Sequence, residues 1–552
     1  MGRKFIQAVA LALAAAFTLG AAASAADGPD NPTIRVGLFY GSSALPGANL
    51  ENHTGSGYQL GYYDDSLEFH ALGYTTETQI SVVKTQNVTY SGQNYVDGTS
   101  GAVTVGCYHL QLPGSYGTFE EAQTASASVQ NGFPAWIDGS YYVRAGAFTS
   151  RDAATAAQEQ MGITGSTVAG TSGYAVTVVK TKTGEPLFQF DAGSSQALGI
   201  QPGLDGTEEA ITWFKGYRYY GGFQYVRDGG NLTVINIVPL EDYVKGVLPY
   251  EMSNDWPLEA LKAQAVCART YAYMNLGKHE RYGFDICNTN DCQVYQGAGL
   301  ANSNTDKAVE ETSGIYIWYN GKPAQTFYFS SDGGATESAQ NIWDQNADLP
   351  YLKGVIDPYE AAVADKISQY NWSKTFTLEE LTSQMNSAFS SKGYNFTGIV
   401  SVQITEYSET GNPLSVRFED QSGKSWTFGA ETLRIALGLR SNRFSLGEAP
   451  STAVPVNDGS SGLSSIGEAY VVSGNGTVQK VSGSPYVASS DGTSRLTMSG
   501  GSSASSGNSV TFSGSGWGHN VGMSQWGAYA MAEQGMSYID ILTFYFTGVD
   551  VG

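Results

Sequence analysis

The sequence predicts an α+β, multidomain protein: a strand-rich N-terminal region, a small β-α-β-β module, and a helix-containing core with β insertions. Three observations carry this. Apolar and polar residues alternate around Gly, Asn and Asp turns through residues 33–125, as in "TIRVGLFYG", "LEFHALGY" and "QISVVKT". Residues 139–195 read strand, turn, helix and then two more strands. Within 210–450 a helical period takes over near Leu240, inside surroundings that otherwise favour strands.

Bulk properties narrow the function classes. A chain of 552 residues suggests about three or four domains. Charged residues make up only 14%, while Gly (68) and Tyr (35) abound, which suits Gly/Ser turns between aromatic strands. The net charge is −22 and no basic block occurs, so a nucleic-acid partner is excluded. Such a protein is repelled by anionic polymers and stays mobile among them.

Residues 1–26 read as a secretory leader: Arg3 and Lys4, then an apolar run from Phe5 to Leu19, then small residues with cleavage near Ala25 or Ala26. An uncleaved anchor is the alternative. In the 33–125 segment His53, His70 and His109 are scattered and read as surface or core residues. In 139–195 Tyr141, Val143 and Ala145 alternate, and Ser150 is placed to cap a helix starting near Arg151. Aromatic residues crowd 210–240, as a sheet core or a sugar-stacking surface; the core reading is the safer one. Residues 451–512 form a Gly/Ser-rich insertion, and 513–552 return to dense sequence.

The richest stretch surrounds Glu251. "LEDYVKGVL" places Leu240, Tyr243, Val244 and Val247 on one helical side, and Pro249 is expected to stop or kink that helix. Asn254 and Asp255 are N-cap types for a second helix, with Pro257 in its first turn. Leu258, Leu261, Ala265, Ala268 and Ala272 form one buried stripe; Lys262 and Arg269 share another face, and Gln264 lies on a third. Glu251 thus sits at a junction of two packed helices. Partial burial there raises a carboxyl's pKa and keeps it an acid, while a nearby Lys262 or Arg269 would oppose this. A capping or solvated glutamate is the plain alternative.

Four cysteines are too few for a disulfide scaffold. Cys267 reads as a buried small apolar residue. Cys287 and Cys292 are the one close pair, open to a disulfide, a metal or free thiols.

Four ordered blocks carry a resemblance. They are "VPLEDYVKGVLPYEMSNDWPLEALKAQAVCARTYAY", "DICNTNDCQVYQG", "FYFSSDGGATESAQNIWDQNADLPYLKGVIDP" and "GSGWGHNVGMSQWGAYAMAEQGMSYIDILTFYFTG". Together they resemble the stage II sporulation protein D family (SpoIID/LytB). The resemblance implies an exported peptidoglycan lytic transglycosylase that cleaves MurNAc–GlcNAc β-1,4 bonds and leaves 1,6-anhydro-MurNAc ends, in wall remodelling, with sporulation as one setting. It implies Glu251, in "PYEMS", as the single general acid/base; Ser253 stands where the family usually has proline. Lys262, Gln264, Arg269, Tyr295, His519, Ser524 and Gln525 become candidate substrate contacts, and the turn Ser330–Gly334 a less certain one. Asn520 replaces the second glycine of the family's "GHGVGMSQ". Some members hold a structural zinc at the cysteine block, so Cys287, Cys292, His279 and Asp291 are candidate ligands, with a Cys287–Cys292 disulfide as rival. No cofactor is needed for the chemistry itself. Residues 139–195 resemble the sporulation-related repeat (SPOR), through Val143, Gly146, Phe148 and Ala154. That implies binding of glycan strands stripped of stem peptides. Expected partners are therefore peptidoglycan strands and a cell-wall amidase, with a secreted, wall-associated location. The alternative function is a non-catalytic enhancer of an N-acetylmuramoyl-L-alanine amidase.

Overall fold

The computed structural model describes residues 31–552, apart from 164, 171, 204–208, 344–348 and all but a few short strands of 448–507. The expected leader and most of the Gly/Ser-rich insertion lie outside the described residues. Among the described residues, no helix is long and apolar enough to cross a membrane. The multidomain α+β class holds.

The alternating segments pair into two large sheets. The seven-stranded sheet runs Ile286–Cys287, Thr33–Phe39, Thr233–Pro239, Gly222–Val226, Leu198–Pro202, Tyr58–Tyr63, Phe69–Thr75. The ten-stranded sheet contains Gly47–Thr54, Gln79–Lys84, Val176–Lys180, Pro186–Asp191 and the hairpin Ile211–Phe214/Tyr217–Tyr219. Inward residues of both, such as Val36, Leu60, Val82, Phe188 and Phe223, share one apolar core. The aromatic residues of 210–240 mostly enter it, Phe214, Tyr219, Phe223 and Tyr225 being buried.

The boundaries expected for the second module are corrected. Gln79–Lys84 and Val176–Lys180 are antiparallel neighbours, with Lys84 opposite Val176. Residues 85–175 are therefore an excursion between two paired strands. Inside it run Tyr108–Gln111, helix α1 (Phe119–Ala127), Gly132–Ile137, Ser140–Phe148, helix α2 (Arg151–Met161) and Thr167–Ala169. The order is β-α-β-β-α-β, and the strands lie fourth, first, third, second across the sheet. Ser150 caps α2 by accepting from the Ala153 N–H. The 139–195 reading caught the third strand and second helix of this unit. It missed Tyr108–Gln111 and α1, and it annexed 176–191, whose strands extend the main sheet. Alternation identifies a strand but not its partner, because pairing is non-local.

The 210–450 core also divides. Asn371–Thr377, α7 (Leu378–Phe389), Ile399–Tyr407, Pro413–Asp420, Ser425–Phe428, α8 (Ala430–Leu437) and Phe444–Leu446 build a separate apolar core. Ser509–Ser515 pairs between Asn371–Thr377 and Phe444–Leu446. Residues 509–512, assigned above to the insertion, thus belong to this unit.

Two helices position the candidate site. Helix α3 spans Leu240–Glu251 and α4 spans Leu258–Met274. Pro249 does not stop α3, which runs two residues further to Glu251. Asn254 and Asp255 do not cap α4; Pro257 precedes its first turn without a side-chain cap, and the Asn254 amide bonds the Leu300 carbonyl instead. Helix α4 carries more than a stripe. Ala260, Leu261, Ala263, Gln264, Ala265, Val266, Cys267, Ala268, Arg269 and Thr270 are all buried. Helices α3, α5 (Ser303–Glu310), α9 (Gln525–Glu533) and α10 (Tyr538–Tyr545) pack around it. Its alanines permit that close approach, and a helix apolar on most sides is a central one. The remaining helix, α6 (Ala339–Trp343), borders the cleft described below.

Burial forces a partner on the one guanidinium of α4. Arg269 is wholly buried, and its guanidinium meets Glu241 in a bidentate pair at 2.7 and 2.6 Å. It also donates to the Ile315 carbonyl at 3.2 Å, and Gly314 N–H donates to Glu241 at 3.2 Å. Glu241→Ala, which leaves the guanidinium buried without its counter-charge, is expected to cost about 3–5 kcal/mol of stability. Urea unfolding measures this. Pairing Glu241→Leu with Arg269→Met should recover part of the loss.

Candidate active site

Glu251 is the last residue of α3. Met252 leaves the helix in an extended conformation and is itself buried, which anchors the turn. The carboxyl therefore projects from a helix C-terminus, where the partial negative charge of the last carbonyls disfavours an anion. Burial acts in the same direction and raises its pKa above the usual 4.5; hydrogen bonds from Tyr328, Gln525 and the Val294 N–H only partly offset this.

Those donors come from three distant segments. Tyr328–Phe329 pairs in parallel with Met523–Ser524, Tyr328 opposite Met523 and Phe329 opposite Ser524. Gln525 follows at once as the first residue of α9, and its amide lies 3.4 Å from Glu251 Oε2 and 3.4 Å from Gln264 Oε1. The Tyr328 hydroxyl accepts from Gln293 Nε2 at 3.0 Å, and Gln293 Oε1 accepts from Tyr243 at 3.1 Å. Tyr328 thus has its proton free to donate to Glu251. Burial holds the Tyr328 phenol well above its usual range, so it remains a donor.

Glu251 opens on a cleft of about 740 Å³. Tyr271, Phe327, Tyr328, Trp343 and His519 give it an aromatic wall, and Lys278, Asn290, Asp291, Cys292, Gln293 and Val294 a polar one. Among the described residues its other carboxylate is Asp291, engaged by His279 at 3.1 Å and Lys278 at 3.4 Å.

Only some of the expected contacts meet here. Glu251, Gln264, Gln525 and His519 converge. His519 is a fixed wall rather than an acid or base: its Nδ1 accepts from the Val521 N–H at 3.1 Å, and the ring also bonds the Tyr328 carbonyl. Burial lowers its pKa to about 4, so the ring is neutral. Lys262 is placed elsewhere, in ion pairs with Glu259 (2.8 Å) and Glu311 (2.6 Å). Arg269 is consumed by Glu241. Tyr295 is buried behind α3, where a Cβ on Gly246 would stand 2.4 Å from its ring, and its hydroxyl donates to Asn236 at 2.7 Å. Ser524 caps α9 and donates to the buried Glu360 at 2.5 Å, and the Ser330–Gly334 turn packs on that same carboxylate. These side chains support the floor and do not line the cleft. The helical-wheel argument for Lys262 and Arg269 failed because α4 has neighbours on most sides.

Tyr328, Gln293, Lys278 and Trp343 were not anticipated. Tyr328 and Gln293 lie within the quoted blocks, but only the strand pairing shows that they reach Glu251. Asn520 explains the departure from glycine. Its φ is +63°, a left-handed value that asparagine tolerates. Its amide then bonds the carbonyls of Asp332 (3.0 Å) and Ala335 (3.3 Å).

The polar wall ends in a metal-type cluster. One ligand atom each of His279, Cys287, Asp291 and Cys292 lies within 4.8 Å of the others. His279 Nε2 is 3.4 Å from Cys292 Sγ, and both thiols are free. The hydrogen bond from Cys292 pulls the Cys287 thiol below its usual pKa, while that of Cys292 is pushed up. The donor set of two sulfurs, a nitrogen and an oxygen suits tetrahedral zinc.

Comparison with known proteins agrees with this layout. A model of the SpoIID family, stage II sporulation protein, matches residues 228–319, which hold α3, Glu251, α4 and the cysteine cluster. An uncharacterised protein of Brachyspira hyodysenteriae is 32% identical over 346 residues, 62% of this chain and 75% of the relative. Stage II sporulation protein D of Bacillus amyloliquefaciens is 28% identical over 337 residues, 58% of this chain and 76% of the relative. The amidase enhancer of Bacillus subtilis is 32% identical over 315 residues, 55% of this chain, but only 39% of the enhancer is covered. The chain belongs to the stage II sporulation protein D (SpoIID) family.

Proposed function

We propose that this protein is an exported peptidoglycan lytic transglycosylase with a cell-wall role related to sporulation. One observation supports it above the others: Glu251 is half-buried, held toward its protonated form, and faces an open aromatic cleft whose second carboxylate is paired away. Ordinary glycosidases need two carboxylates. Here one suffices if the sugar supplies the nucleophile. The Glu251 carboxyl protonates the glycosidic oxygen as the MurNAc C1–O bond breaks. The resulting carboxylate then takes the proton of the MurNAc 6-hydroxyl as O6 bonds to C1. The proton returns to Glu251, and no water is consumed. Gln525, Tyr328 and the Val294 N–H stabilise the transient carboxylate.

Aromatic residues such as Trp343 and Tyr271 suit the faces of pyranose rings, and Lys278 suits the lactyl or peptide carboxylate. The β-α-β-β-α-β unit at 108–169 supports, by its element order, the reading of a SPOR-like module for stripped glycan. His279, Cys287, Asp291 and Cys292 would hold a structural zinc, which would brace the polar wall. A Cys287–Cys292 disulfide is the rival. Similarity to an amidase enhancer favours the second function, a wall-binding partner of an amidase without its own chemistry.

Digestion of peptide-stripped glycan strands should yield 1,6-anhydro-MurNAc ends by mass spectrometry, and Glu251→Gln should lower the rate by roughly 100-fold or more. No anhydro product from the wild type, with wall binding retained, would favour the enhancer. Glu251→Gln also has a stability signature. A carboxyl whose pKa is raised on folding contributes stability at low pH and loses it as pH rises through the folded value. The variant should therefore melt above the wild type at pH 7, with the difference shrinking toward pH 4. Elemental analysis should find about one zinc per chain, lost in Cys292→Ser. A mass two hydrogens short, without zinc, would establish the disulfide instead.

A further inference from the structure

A second acidic cluster lies beneath the site, unused by the proposed chemistry. Asp332, Asp357 and Glu360 each place a carboxylate oxygen within 4.8 Å of the others, and all three are buried. They come from the Ser330–Gly334 turn and from residues 357–360, and they meet Ser524, the neighbour of Gln525. Among the described residues, no Lys, Arg or His makes an ion pair with any of them.

The hydrogen bonds divide the three unequally. Glu360 is saturated: Oε1 accepts from Ser331 Oγ (2.5 Å) and Gly333 N–H (2.9 Å), and Oε2 from Ser524 Oγ (2.5 Å) and Asp332 N–H (2.9 Å). Four donors fill its four lone-pair sites, and they only partly offset the burial that raises its pKa. Asp357 accepts the Tyr359 (2.7 Å) and Glu360 (3.2 Å) N–H groups at Oδ1, and the Tyr545 hydroxyl (2.6 Å) at Oδ2. Asp332 Oδ1 accepts only the Gly334 N–H, at 2.7 Å. Its Oδ2 is fully buried and has no donor at all. That oxygen is directed into the cluster, with Asp357 as its neighbour.

We infer that Asp332 and Asp357, with Glu360 behind them, bind one divalent cation of the calcium or magnesium type. Asp332 Oδ2 has no donor and its carboxyl lies against Asp357, so the two are both ionised only with positive charge between them, because a buried anion without compensation is very costly. A single shared proton would neutralise one of the two charges; a dication neutralises both. The donor atoms are all oxygen, which selects a hard cation and differs from the sulfur-containing cluster at Cys287. Bound there, the ion ties together the Ser330–Gly334 turn, the Asp357–Glu360 segment and, through Glu360, the Ser524 that leads into Gln525. This inference does not rest on the transglycosylase reading.

The test uses the full mature chain, stripped of metal and resupplied with one equivalent of zinc. Calcium or magnesium chloride should raise Tm by roughly 5 °C at saturation. Terbium chloride should give luminescence sensitised by Tyr545 and quenched by added calcium. Asp332→Asn keeps a side chain able to donate to Asp357, and it should lose both responses. Should that variant fail to fold, Asp357→Asn takes its place, and the same loss of both responses is expected. No Tm shift and no sensitised terbium emission in the wild type would overturn the inference. So would responses in Asp332→Asn equal to those of the wild type, since the ion would then sit elsewhere on this acidic surface.

Discussion

The site depends on α4 being buried along most of its length. A helix packed on most of its sides fixes its neighbours, because each must fill space that solvent cannot. It also turns each polar side chain on it into a constraint. Arg269 reaches Glu241 in the first turn of α3, and so sets where α3 begins against α4. Glu251 ends that same α3. A buried bidentate pair at one end of a twelve-residue helix thus locates the carboxyl at the other. Gln264, one turn and a half before Arg269, receives Gln525 from α9 and completes the frame.

Electrostatics within that frame are a balance, not an extreme. Burial and the helix C-terminus push Glu251 toward its acid form. Three donors limit the shift, and they would stabilise the carboxylate left by the proposed proton transfer. Among the described residues, no cationic side chain hydrogen-bonds the carboxyl, and Lys278 lies on the polar wall with Asp291 as its partner. A lysine or arginine at Gln525 would hold the carboxylate ionised and remove the acid. His519, neutral and hydrogen-bonded through the ring, adds shape without charge. Among the described residues, the cleft therefore has one aromatic and one polar wall, with Glu251 as the carboxyl held toward its acid form.

What the sequence discloses follows locality. The helices around Glu251 were legible from their period, and the α2 cap from Ser150, because both depend on neighbours in the chain. The strands were legible as strands. Their partners were not: nothing local in "QISVVKT" says that Lys84 will lie opposite Val176, nor that Ser509–Ser515 will return to close a distant sheet. The roles of Lys262 and Arg269 failed for the same reason, since exposure of a helix face is decided by what packs there. The closeness of His279, Cys287, Asp291 and Cys292 was legible because a short chain segment brings its own side chains together. Tyr328 and Gln525 belong to one site only through a two-residue parallel bridge, which no spacing rule could have announced.

The placement of the β-α-β-β-α-β unit bears on how the parts of this protein relate. It leaves the main sheet after Lys84 and returns at Val176, and those two residues are opposite one another in the ladder. An excursion whose ends already touch adds little closure cost and leaves the surrounding register intact. One face of the unit nevertheless packs into the core shared by the two main sheets and the helices α3 and α4, through Phe119, Trp136 and Tyr141. Its own small apolar cluster around Leu110, Ala145 and Ala154 is distinct from that core. The geometry is that of an accessory carried by the scaffold that holds Glu251. Changes of sequence around Leu110, Ala145 and Ala154 can therefore alter what the accessory engages without touching the shared core.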